Sequence, residues 1–392
     1  LPATKFFHHP IGTFLLTMLL AATSLSHLSA RAQVEKQDTV RWMRVEKKSG
    51  WYTRQLKKAE KMARGFNKID TNYIEPQLYN FTVMLQNTNN YEVYRLNNKE
   101  GQNIVFAPEP SVRIGPFVGW QWIFLGYTLD VKHINFGGDD KQRQEYDLSL
   151  YSSMVGMDFY YRKTGNDYKI RSLNLGTNID TRNVEGSDFG GLTSTVKGLN
   201  IYYIFNHSRF SYPAAFSQST VQRRSAGSPL LGIGYTKHTL SVNWNELNKI
   251  ITEKLGNKAD EAGLDSTMMF GRVKYSNISI SGGYAYNWVF AHNWLMAGSI
   301  TLGLAYKRTK GDMEHRRFSL RQFSTKNLNI DGTARFGIVW NNTRWYAGTS
   351  AILHAYNYRR SQFSTNNLFG NINIYAGFNF GRKGKKKKNK AK

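Results

Sequence analysis

From about residue 78 to Phe380 apolar side chains recur at every second position, with interruptions. A period of two is the pattern of a β-strand that buries one face, and it excludes a chain built from amphipathic helices. Clear runs are Tyr79, Phe81, Val83 and Leu85; Val155, Met157, Phe159 and Tyr161; Leu199, Ile201, Tyr203 and Phe205; Ile300, Leu302, Leu304 and Tyr306; and Ile372, Ile374, Ala376, Phe378 and Phe380. The intervening positions are small or polar, such as Ser279, Ser281 and Gly283.

Parity leaves open which face points outward, because a soluble lipid-binding barrel alternates as well. Three signs favour a membrane. Many runs are long for soluble strands and suit tilted spans of ~9 to 11 residues that extend beyond the bilayer. The polar face is rich in Gly, Ser, Thr and Asn, as expected of a hydrated interior. Six of the nine Trp flank the three shortest connections: Trp120 and Trp122, Trp288 and Trp294, Trp340 and Trp345. Such pairs form an aromatic girdle at one membrane interface.

The expected fold is all-β, a transmembrane antiparallel up-and-down β-barrel of about twelve strands, with ten or fourteen still open. The twelve fall near 79–88, 110–120, 122–135, 144–163, 167–175, 196–209, 229–244, 269–288, 292–309, 325–341, 343–359 and 366–380. Connections then alternate long and short, and short turns belong in the periplasm, so both termini are expected there. One connection, 210–228, breaks the alternation and points to a miscounted strand.

The net charge of +26 suggests nucleic acid until it is located. Residues 41–68 hold ten basic and two acidic side chains, and 382–392 hold eight basic and none acidic; setting these and the signal region's Lys5 and Arg31 aside leaves +8 for all the rest of the chain. The excess is terminal, so a nucleic-acid partner is not expected. Tyr52, Leu56, Ala59, Ala63 and Phe66 recur at helical spacing beside Arg54, Lys57, Lys58, Lys61 and Arg64. Residues 33–77 therefore read as a basic periplasmic helical segment, and this segment and the Lys-rich tail 382–392, expected to be disordered, are expected to meet an anionic envelope polymer or lipid. Residues 1–32 read as a signal peptide: Lys5 precedes the apolar run from Ile11 to Ala22, and Ala30-Arg31-Ala32 offers a cleavage site. Residues 78–381 form the barrel, which is expected in the outer membrane with lipid as its first partner.

No catalytic motif is present. The six His beyond the signal region, His133, His207, His238, His292, His315 and His354, lie in no HExxH or GxSxG pattern. The chain has no Cys, which excludes thiolate chemistry; no metal or cofactor is expected. Six charged residues fall on the polar strand faces: Asp130, Lys132, Asp158, Arg162, Asp331 and Arg335. They read either as a structural network filling the lumen or as a selectivity lining.

The segments GFNKIDTNYIEPQLYNFTVMLQNTNNYEVYRL (65–96), FAPEPSVRIGPFVGWQWIFLGYTLD (106–130) and DLSLYSSMVGMDFYYRKTGNDYKIR (147–171) resemble the domain-of-unknown-function family 4421. That resemblance implies an outer-membrane barrel of Bacteroides-like bacteria and brings no catalytic residues. The last strand, NINIYAGFNF, also resembles the aromatic-ended strand by which barrel-assembly machinery recognises its clients, although here a basic tail follows it. The expected function is an envelope structural role or a small-solute channel. An enzyme acting on lipid or peptide at the barrel mouth is the alternative.

Overall fold

The alternation becomes one continuous antiparallel sheet. The computed structural model describes residues 69–120, 123–126, 129–130, 144–176, 179–256, 264–266, 269–309, 327–359 and 363–382. The signal region, the basic segment as far as Lys68 and the tail from Lys383 lie outside these, as do Trp122, Lys132, His133 and His315. Of the basic segment only residues 69–77 are described, and they form a turn and a short strand.

The strands are β1 (Ile74–Pro76), β2 (Tyr79–Asn98), β3 (Asn103–Pro108), β4 (Ser111–Trp120), β5 (Ile123–Gly126), β6 (Leu129–Asp130), β7 (Gln144–Tyr151), β8 (Val155–Lys163), β9 (Tyr168–Asn174), β10 (Leu192–Ile204), β11 (Thr220–Gln222), β12 (Ala226–Val242), β13 (Val273–Ala291), β14 (Trp294–Thr309), β15 (Leu328–Asn341), β16 (Trp345–Arg359) and β17 (Phe363–Arg382). Helix α1 (Tyr212–Phe216) precedes β11, and α2 (Trp244–Leu255) follows β12. The sheet runs β5-β4-β2-β17-β16-β15-β14-β13-β12-β10-β8-β7, with β3, β6 and β9 attached off this path. The first long strand therefore pairs with the last. No ladder among the described residues joins β5 or β6 to β7, yet Arg113 of β4 lies 3.6 Å from Glu145 of β7, so the two ends of the path approach each other.

This path has twelve members, but they are not the twelve expected from sequence. The run 144–163 is two strands, β7 and β8, joined by a turn in which Ser152 Oγ accepts from the Val155 amide at 3.0 Å. The run 167–175, expected as a wall strand, is β9, which leaves the wall and pairs only with β3 among the described strands. The two departures offset each other in the count. They also change the loop pattern. One end of the sheet carries the turns at 152–154, 292–293 and 342–344, and the other carries the connection from β8 to β10, which holds β9, and the connection from β12 to β13, which holds α2. The exceptional connection is real, spans 205–225 and holds α1 and β11 rather than a hidden wall strand.

The apolar face points outward. Ile201, Ile233, Ile280, Leu304 and Ile330 stand directly opposite one another across five strands, and Met157 and Leu150 continue the row onto β8 and β7. Ile280 is 65% exposed and Ile330 63%. Contiguous apolar surface beyond a few hundred Å² marks a contact with something other than water. The neighbouring row, Ser149, Asp158, Asn200, Gly234, Ser279, Ala305 and Asn329, is small and polar and points inward.

Inward glycines make room for inward tyrosines. Tyr160 packs over Gly198, its partner on β10, and Tyr202 over Gly156, its partner on β8. A Cβ at Gly198 would fall inside the Tyr160 ring. Gly198→Val is expected to cost about 1–3 kcal/mol by overpacking, read as a lower temperature for the gel-mobility change on heating; an unchanged temperature contradicts this packing.

A second core lies at the long-loop end. Tyr94, Leu96, Ile104, Phe106, Tyr168, Ile170, Phe189, Leu192, Leu240, Leu247 and Ile251 pack together, with the Phe106 and Phe189 rings 5.0 Å apart. Here β3, β9 and α2 build a water-soluble type of core above the wall. Asn243 caps α2, its side chain accepting from the Glu246 amide at 3.2 Å.

Candidate functional site

Charged and aromatic side chains from facing walls meet inside the sheet. Asp158 of β8 and Arg335 of β15 form an ion pair, each with only 3% of its side chain exposed. These strands are separated by four others along the path in one direction, so the pair spans the interior. Ser149 Oγ donates to Asp158 at 2.7 Å, and the Arg335 guanidinium lies over the rings of Tyr202 and Tyr212, at 5.1 and 5.9 Å. Burial of a charge is sustained only by such pairing and hydrogen bonding.

A second group sits nearer the long-loop end. Arg162 reaches Asp147 at 2.8 Å and Glu145 at 3.3 Å and stacks over Phe369 of β17 at 5.0 Å. Asn371 of β17 donates to Asp147 at 3.2 Å, and Asn90 of β2 donates to Glu145. Buried Glu92 accepts from the hydroxyls of Tyr94 and Tyr168, at 2.5 and 2.6 Å. Between the two groups the hydroxyls of Tyr160 and Tyr356 hydrogen bond across the interior, and the His354 ring lies 4.9 Å from Tyr160.

The third layer is the connection 205–225, folded inward at the short-turn end. Ser211 caps α1 by accepting from the Ala214 amide at 3.2 Å, with Pro213 in the first turn, where its missing N–H costs nothing. Tyr212 donates to Ser299 at 2.7 Å, Asn287 to the Ser211 carbonyl at 2.8 Å, and Gln218 to the Tyr375 hydroxyl at 2.9 Å. Burial pushes the Tyr212 hydroxyl up from its ordinary pKa, which keeps it a neutral donor. β11 pairs with β1, and Arg223 bridges Glu75 and Asn293, so the last residues of the segment 33–77 pin this layer.

Four of the six charges anticipated from sequence, Asp158, Arg162, Asp331 and Arg335, are thus buried in the interior. Asp158 and Arg162 share a face of β8 yet turn to Arg335 and to Glu145 and Asp147. Asp331 pairs with none of the described cations. Its Oδ1 has no hydrogen-bond partner among the described residues, and it borders a cavity of about 30 Å³ beside Ser281, Gly303 and Thr333. A space of that size admits one or two waters. The Asp130 side chain and the whole of Lys132 fall outside the description. Glu92, Glu145 and Asp147 were missed, although the alternation Glu145, Asp147, Ser149 against Tyr146, Leu148, Leu150 carries the signal.

Of the Trp residues, Trp288, Trp294 and Trp345 are exposed at the short-turn end and Trp340 is half-buried there. The side chains of Trp120 and Trp122 are outside the description. His238 and His354 are buried among aromatic rings, and His292 is exposed in a two-residue turn. No group of three or more His, Asp or Glu suited to a metal occurs among the described residues.

The model of the domain of unknown function DUF4421 matches residues 68–380, which is the whole wall together with its inward connection. The chain belongs to this family. No curated protein matches it. Among solved structures the chain is similar to the outer membrane protease OmpT of Escherichia coli (7% identity, 79% of this chain and 100% of that one, TM-score 0.31). It is similar also to the toluene transporter TodX of P. putida (7%, 78% and 91%, 0.21) and to the translocator domain of the autotransporter NalP of Neisseria meningitidis (9%, 83% and 97%, 0.25).

Proposed function

We propose that this DUF4421 protein is an outer-membrane β-barrel with a filled lumen, serving as a structural or anchoring element of the envelope rather than as an open pore. The membrane part of the reading is supported by the outward apolar rows. On β13 the outward positions from Ser276 to Tyr286, centred on Ile280, include no charged residue, and ten residues at ~3.3 Å rise, tilted ~40°, give a height of roughly 25 Å, the apolar band of such barrels. Closure of the seam between β6 and β7 completes the wall, and the short turns and both termini face the periplasm.

The observation that carries the filled lumen is the contact between facing walls: Arg335 with Asp158, and Tyr160 with Tyr356. An aqueous path needs an unbroken polar channel, and these contacts, with the inward connection below and the apolar core above, interrupt it at three levels. The purified protein in planar bilayers is expected to show no steady conductance. Steady ohmic channels from the unaltered chain would overturn the reading in favour of a solute channel.

A further inference from the structure

The outward face changes character toward the long-loop end. Lys197 and Lys237 stand directly opposite each other on β10 and β12, four residues along from Ile201 and Ile233 in the central apolar row. In register, Lys237 meets Ser276, which meets Arg308, while Lys197 meets Tyr161 and rests its ammonium 5.0 Å over that ring. Lys163 and Lys274 lie two residues further along β8 and β13 and are exposed. The outward positions of β8, β10, β12, β13 and β14 carry no Asp or Glu. At the short-turn end these strands present Tyr286, Trp288 and Trp294, with Phe205 just past β10, and no charge.

Like charges directly opposite on a sheet destabilise it unless something neutralises them. Four residues at ~3.3 Å rise and ~40° tilt raise the Lys197 and Lys237 level about 10 Å above the central row, the edge of the apolar band. That is the height of lipid phosphates. A polar cleft of about 660 Å³ opens just beyond, lined by Lys163, Asn166, Thr193, Ser241, Asn243 and Glu246, with Gly190 and Gly191 in its wall.

We infer that Lys163, Lys197, Lys237 and Lys274 form a docking surface for the phosphates of anionic membrane lipid, with the polar cleft receiving the rest of the headgroup. The inference rests on the membrane-spanning reading above. Basic groups at a bilayer surface attract anionic lipid, and they do so less at high salt. It does not depend on whether the lumen is filled.

The test is lipid retention by the full chain in nanodiscs of phosphatidylcholine alone or of phosphatidylcholine mixed with phosphatidylglycerol, read by native mass spectrometry. The unaltered protein is expected to retain phosphatidylglycerol selectively and to lose that selectivity in salt. The variant K197Q/K237Q/K274Q is expected to retain roughly tenfold less, and its arginine counterpart to behave as the unaltered chain, with heat-modifiable migration confirming that each variant is folded. Equal retention of the two lipids, or undiminished selectivity in the glutamine variant, overturns the docking surface alone. Failure of the unaltered chain to enter phosphatidylcholine discs overturns the membrane reading itself.

Discussion

Ile280→Arg is expected to destabilise the folded protein in lipid by about 2–4 kcal/mol, the cost of an arginine at the bilayer midplane on the lipid face of a barrel. Ile280 lies at the centre of the outward row and is 65% exposed. The sign makes the experiment decisive. On a water-facing sheet, exchanging an exposed isoleucine for arginine is near neutral, since surface substitutions lie mostly within ±0.5 kcal/mol. The same exchange at Lys237, two steps toward the long-loop end from Tyr235, should be close to neutral in either setting. Urea titration of the protein refolded in liposomes measures both. A change at Ile280 below about 0.5 kcal/mol would mean that this face does not contact hydrocarbon.

The second large effect concerns the interior. Arg335→Ala leaves the Asp158 carboxylate buried without its cation, and breaking a buried pair from one side costs about 3–5 kcal/mol. Removing both charges, as Asp158→Asn with Arg335→Met, is expected to recover most of that loss, because the apolar stem of methionine still fills the space against Tyr202 and Tyr212. A thermal or urea midpoint for the double variant as low as that of Arg335→Ala would show that the unpaired carboxylate is not the source of the loss. If the filled lumen is a matter of these contacts, Arg335→Ala should also admit brief conductance steps that the double variant lacks.

Much of the wall was legible because parity encodes it: wherever a strand has lipid on one side, every second residue must be apolar. Parity does not reveal what lies on the apolar side. Tyr168 and Ile170 alternate as faithfully as Ile278 and Ile280, but they face the protein core at the long-loop end, so β9 was expected in the wall. The turn after Tyr151 was invisible for the opposite reason. Ser152, Ser153 and Met154 contain no Gly, Pro or Asn, and a three-residue turn between two apolar runs preserves the look of a single strand. The charged positions were found by the same parity, whereas their partners were not, because Asp158 and Arg335 are 177 residues apart and meet only once the sheet curls. The inward fold of 205–225 left only a faint trace: a connection too long for its end of the sheet, with Pro213 inside it.

The pairing of β2 with β17 sets a condition on how the protein forms. Leaving aside β3, β9 and β11, every wall ladder but one joins strands that are neighbours in the chain, so each is available as soon as its hairpin exists. The ladder from Phe81 to Phe380 joins residues roughly 300 positions apart, and it cannot begin until the last strand has left the ribosome. Contacts of that separation must overcome chain entropy before they repay it, which slows folding. Until that ladder forms, β2 and β17 are long strands with unpaired edges, prone to pair with other chains. A chain of this design must therefore be kept from pairing with other chains until its two ends meet, so that closure comes last.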